Sequence, residues 1–138
     1  MRKHSVAPPF RALDPELDVT ERLLAQGNPA LRAVVELLPD EHAAARALND
    51  LLDETGARPR LVDTGNGWRI VYVTSRAEAG EPAVGAAGLA ELVTVGGWRR
   101  VKRCVACGRP FCDRTSGCTR KWCTPLRCHS EPRTIAVD

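Results

Sequence analysis

Cys104-Val-Ala-Cys107 is followed by Gly108, and fifteen residues separate Cys107 from Cys123-Thr-Pro-Leu-Arg-Cys128. Two cysteines separated by two residues, with a glycine that lets backbone amides turn toward the sulfurs, form one metal knuckle. A second pair completes a tetrahedral set of four thiolates. Soft sulfur ligands in that geometry favour zinc, then an iron–sulfur cluster, over hard cations. Four protein ligands leave no open position for water, so the expected role of the ion is structural, with one Zn2+ per chain held by Cys104, Cys107, Cys123 and Cys128. Cys112, Cys118 and His129 are chemically able to replace a member of that set. The outer pairs are favoured because they alone make two knuckles. Three disulfides are the competing use of six cysteines in an oxidising compartment, and redox chemistry is the competing use of a Cys-x-x-Cys pair.

The cysteines lie in a strongly basic stretch. Residues 99–138 carry ten Lys and Arg against Asp113, Glu131 and Asp138, whereas residues 1–98 carry ten against fourteen acids. The chain therefore reads as an acidic body over 1–98 and a basic, cysteine-dense finger over 99–138. Net positive charge on the finger is an electrostatic footprint for phosphate, and Arg99, Arg100, Lys102, Arg103, Arg120 and Lys121 flank the knuckles. DNA held mainly through phosphate contacts is the expected partner. The alternative is a zinc-stabilised protein-interaction or ligand-sensing module, because a basic finger can dock on an acidic surface of its own chain, a second copy or another protein. His4, His42 and His129 are the only histidines and no nucleophile motif surrounds them, so no enzyme is expected.

The remaining residues must position that finger. Asp14-Pro15-Glu16 opens a helix with a capping acid, a first-turn proline and a second acid at the positive end of the dipole, and Gly27 closes it. Asn28-Pro29 repeats the signal, with Leu31, Val34, Val35 and Leu38 on one face before Pro39. Asp40-Glu41 opens a third helix that ends at Gly56. Period 3.6 then gives way to period 2 over 60–64 and 68–74, joined by Gly65-Asn66-Gly67, which predicts a β-hairpin. One face, Trp68, Ile70 and Tyr72, is bulky and the other, Arg69, Val71 and Val73, is mixed, and the hairpin is expected to pack on the helices because an isolated hairpin is marginal. Residues 82–95 read as an Ala-rich fourth helix, and Gly96-Gly97 breaks the chain. The fold class is thus α+β: a small helical body with a hairpin, followed by a C-terminal treble-clef or ribbon-like finger. Phe111 and Trp122 are the aromatics available for the finger's own core. No apolar run reaches the roughly 20 residues of a membrane span, and the opening residues lack a secretory pattern, which predicts a cytoplasmic protein.

Arg100-Val-Lys-Arg-Cys104, Phe111-Cys-Asp113-Arg-Thr115 and Arg120-Lys-Trp122-Cys123 followed by Cys128 resemble the CGNR zinc-finger family over residues 99–128. The stretch from Ala47 to Leu52, Arg58-Pro-Arg-Leu-Val62 and Gly67-Trp-Arg69 is similar to the later part of the ABATE domain that precedes this finger in many members. That resemblance implies a shortened ABATE-like domain, zinc on the same four cysteines, and a bacterial stress-induced transcription regulator. Where the family has Gly-Asn-Arg after the last cysteine, this chain has His129-Ser130-Glu131.

Overall fold

A computed structural model describes Phe10 and residues 13–65, 67–76 and 79–123. Among the described residues, four helices, α1 (Asp14–Ala25), α2 (Pro29–Val35), α3 (Glu41–Thr55) and α4 (Gly80–Gly96), accompany two antiparallel hairpins. The first hairpin joins β1 (Arg58–Asp63) to β2 (Trp68–Val73) between α3 and α4. The second joins β3 (Val101–Arg103) to β4 (Pro110–Cys112). The mixture agrees with the expected α+β class. Asn66 of the first turn lies outside the described residues. No helix among the described residues is long and apolar enough to cross a membrane.

The helix boundaries follow the local chemistry. Asn28 and Asp40 cap α2 and α3 by accepting from the Leu31 and Ala43 amides at 3.1 Å each. Gly56 ends α3 in the left-handed region at φ 70°, where a side chain would be strained. Helix α1 departs from expectation: Leu13 takes the capping position without a side-chain hydrogen bond. The carboxylate of Asp14 pairs instead with Arg114 at 2.8 Å. A cap bond is worth about 1 kcal/mol, and a second use of the carboxylate outcompetes it here.

Helix α4 is apolar all round because it runs through the middle of the body, burying Ala83, Ala86, Leu89 and Leu92 among Leu17, Leu24, Leu31, Val34, Leu48 and Leu51. Its Gly85-Ala-Ala-Gly88 stretch is where α1 crosses. Thr20 Oγ1 donates to the Gly85 carbonyl at 2.7 Å. A Cβ on Gly88 would sit 2.8 Å from the Glu16 carbonyl oxygen, which is backbone and cannot turn away. An exposed helical Gly→Ala would gain up to about 1 kcal/mol. At this crossing the clash reverses the sign, and Gly88→Ala is expected to cost about 1–3 kcal/mol in a urea midpoint.

The first hairpin packs on the helices mainly by its mixed face. Arg69 and Val71 turn inward, and Arg69 bridges Glu16 and Glu91, both at 3.2 Å. Leu61, Trp68 and Ile70 face solvent, 64%, 68% and 51% exposed. Two partly buried acids on α1 and α4 need a cation, and leaving them without one costs more than exposing apolar surface on a single hairpin face.

Candidate metal centre

Strand pairing sets up the finger. Val101 lies opposite Cys112, Lys102 opposite Phe111 and Arg103 opposite Pro110. Side chains alternate between faces, so Val101 and Cys112 turn into the helical core while Lys102 and Phe111 turn the other way. The chain leaves β3 at Cys104 and re-enters β4 after Gly108. The Cys104 amide donates to the Arg109 carbonyl and the Gly108 amide to the Cys104 carbonyl, both at 2.9 Å, with Gly108 at φ 75°. This tight turn is the first knuckle, and its glycine is required by the positive φ.

The return path brings Cys123 alongside. After β4 the chain loops through residues 113–120, and the Val105 amide donates to the Lys121 carbonyl at 2.9 Å. Cys123 thereby reaches the first pair. The sulfurs of Cys104, Cys107 and Cys123 all lie within 4.8 Å of one another, and Cys107 Sγ is 3.8 Å from Cys123 Sγ. A tetrahedral zinc site with bonds of about 2.3 Å requires sulfur separations of about 3.8 Å. A disulfide needs about 2.05 Å. The arrangement therefore fits a shared ion. Burial pushes the Cys104 thiol up, but amides of Cys107, Ala106 and Cys123 directed at its sulfur outweigh that and hold it below the usual thiol range. Thiolate is the form that ligates. Cys128 and His129 lie outside the described residues, and so does His4.

Cys112 and Cys118 are not part of the described cluster. Cys112 is fully buried in the helical core, where burial and then the nearby Glu21 carboxylate push its thiol far up. Cys118 sits on the 113–120 loop with φ 53°, an unusual value for a residue with a side chain. The small core of the finger is Phe111 with Cys104, against which Trp122, Ala106, Cys107 and Cys123 pack.

The six basic residues singled out in the sequence have two fates. Arg99, Arg103 and Lys121 face solvent, and Arg103 Nη1 reaches the Gly108 carbonyl at 3.3 Å. Arg100 is buried, stacked on Phe10 and donating to the Asp113 and Thr115 carbonyls at 3.0 and 2.6 Å. Lys102 donates to Asp113 Oδ2 at 2.8 Å and to the Cys118 and Arg120 carbonyls at 2.8 and 3.0 Å. Arg120 stacks on Phe111 at 4.6 Å and donates to the Trp122 carbonyl.

Two residues outside that set hold the finger in place. Arg114 inserts among Asp14, Asp18 and Glu21, an acidic stripe at i, i+4 and i+7 of α1, at 2.8, 3.0 and 2.6 Å. The acidic charge of the body, visible in its composition, is in part a seat for this cation. Asp113 is fully buried and accepts from Lys102, from the Thr115 amide and hydroxyl at 3.0 and 2.5 Å, and from the Arg120 amide at 2.9 Å. Burial pushes its carboxyl up, yet the hydrogen bonds from Lys102, Thr115 and Arg120 prevail and bring it from 3.8 to about 2. Because the folded value is depressed, its stabilisation is complete above about pH 4 and is lost as pH falls toward 2. Asp113→Asn, which cannot titrate, is expected to flatten that acid limb relative to wild type in urea midpoints measured from pH 5 to 2. An identical limb would refute it.

No protein-family model and no curated protein matches the chain.

Proposed function

We propose that this chain is a zinc-stabilised interaction module with no catalytic chemistry of its own, in which the ion holds the finger together and the finger docks on the acidic helix α1. The observation that carries the zinc reading is the 3.8 Å spacing of Cys107 and Cys123 beside Cys104, which matches the edge of a zinc–sulfur tetrahedron. The paired spacing of Cys123 and Cys128 offers Cys128 as the fourth ligand, in agreement with the likeness to CGNR fingers. A closed set of four sulfurs gives the ion no open position, so its contribution is folding energy. Measured zinc content of the purified protein, by plasma emission with a parallel thiol titration, tests this. About one zinc per chain is the expected result, and a metal-free, fully folded protein refutes it.

Protein contact is favoured over nucleic acid because Arg100, Lys102 and Arg120 are committed to backbone carbonyls and Asp113, and Arg114 to three carboxylates. DNA is the second reading, supported by the exposure of Arg99, Arg103 and Lys121. A salt titration separates the two. Each phosphate neutralised adds about −0.9 to the slope of log affinity against log salt, so three cations give a slope near −3 and six would give about −5. A slope near −5, reduced in magnitude by up to about two by Arg120→Ala with Lys121→Ala, would reinstate the full basic surface as the DNA contact. No duplex binding at low salt leaves the protein-contact reading standing.

A further inference from the structure

We propose that Lys102 and Asp113 are positioning residues for the metal, locking the loop of residues 113–120 so that Cys123 is presented to Cys104 and Cys107 before any ion arrives. The inference rests on the zinc reading above and extends it to residues that carry no ligand atom.

The geometry is that of a clasp. Asp113 uses one oxygen at the start of the loop, on the Thr115 amide and hydroxyl, and the other at its end, on the Arg120 amide at 2.9 Å. One carboxylate therefore closes both ends of the same loop. The ammonium of Lys102 has three donors and finds three acceptors, the second Asp113 oxygen and the Cys118 and Arg120 carbonyls. It ties the start and the closing residues of the loop to β3, the strand that runs directly into Cys104. Loop and first knuckle are thus fastened to a single strand. From Arg120 only two residues separate the clasp from Cys123, and one of them, Lys121, is pinned to Val105 inside the first knuckle.

Two further features agree with a held loop. Cys118 keeps a left-handed φ of 53° that a side chain disfavours, so its surroundings must enforce it, and its carbonyl is one of the acceptors of Lys102. Arg100 adds a second grip on the first turn of the loop through the Asp113 and Thr115 carbonyls. Charge-assisted hydrogen bonds are the strong ones in proteins, and this cluster places several on eight residues of loop. Groups that orient ligands without touching the metal typically matter 10–100-fold for its affinity, because an unheld ligand must be ordered by the ion itself.

The test is the zinc dissociation constant of the full chain, measured by competition with a chromophoric chelator. Wild type is measured first, and absence of binding there sinks the zinc reading itself. Lys102→Met and Asp113→Asn are each expected to weaken zinc 10–100-fold, and the double variant no more than the stronger single one, because the pair acts as one clasp. Gly88→Ala, whose added methyl meets Thr20 and Glu16 of α1 and no finger residue, is the control: it lowers global stability and leaves zinc affinity unchanged. If Asp113→Asn fails to fold, the half-buried Lys102→Met decides alone. Wild-type zinc affinity in Lys102→Met, or an equal loss of affinity in Gly88→Ala, overturns the proposal.

Discussion

Replacing Cys104, Cys107 or Cys123 by serine is expected to abolish stoichiometric zinc and to unfold the finger, while helices α1 to α4 persist. The two halves of this expectation have separate physical causes. Structural zinc binding is worth about 10–16 kcal/mol in small finger peptides, comparable with the whole stability of a typical domain. Among the described residues the finger core is Phe111 and Cys104 with four partly buried neighbours, too little apolar burial to supply that energy. The helical core is a different cluster, built on Leu17, Leu24, Leu31, Val34, Leu89 and Leu92. Circular dichroism of the serine variants should therefore keep most of the helical signal, while the emission of Trp122, packed against the knuckles, shifts to the red. Chelation of wild-type protein should reproduce both changes. Cys118→Ser should retain zinc. Cys112→Ser should also retain it but lose stability, because a hydroxyl replaces a thiol at a fully buried position. Retention of one zinc per chain by Cys104→Ser together with its loss in Cys118→Ser would overturn the ligand assignment.

Phe111→Ala is expected to cost about 3–5 kcal/mol, the usual range for removing a buried ring. The ring is 2% exposed, fills the space beneath the knuckles and carries the Arg120 guanidinium on its face. Its removal takes away the finger's one fully buried aromatic side chain among the described residues and leaves Arg120, whose Nε is buried without a hydrogen-bond partner, without its stacking surface. The cost should appear as a lower urea midpoint of the zinc-loaded protein and as faster zinc release to a chelator. Trp122→Ala, at a half-buried position, should cost less. A loss below about 1 kcal/mol for Phe111→Ala would mean that the ion alone supports the finger.

Local chemistry made much of this protein legible in its sequence. Asn28, Asp40 and Gly56 mark helix ends because caps and left-handed turns depend on a residue and its near neighbours. The Cys-x-x-Cys knuckle and its Gly108 are legible for the same reason, since a turn that aims two sulfurs at one point is a property of five consecutive residues. The α+β mixture follows from the change of period near residue 60. Resemblance adds the motif Phe111-Cys-Asp113-Arg-Thr115 without saying what its members do.

Tertiary structure decided whatever depends on which distant group a side chain meets. Six basic residues around the knuckles look alike in sequence, yet Arg100, Lys102 and Arg120 turn to carbonyls and a carboxylate while Arg99, Arg103 and Lys121 face water. Trp68 and Ile70 carry the stronger apolar signal, yet the opposite face of β2 packs, because Glu16 and Glu91 approach from two other helices and require Arg69. Asp14 has the sequence of a cap and is claimed by Arg114, a hundred residues away. Capping and periodicity act over four residues and can be read along the chain. Buried charge must be neutralised by whatever lies nearest in space, and that neighbour exists only once the chain has folded.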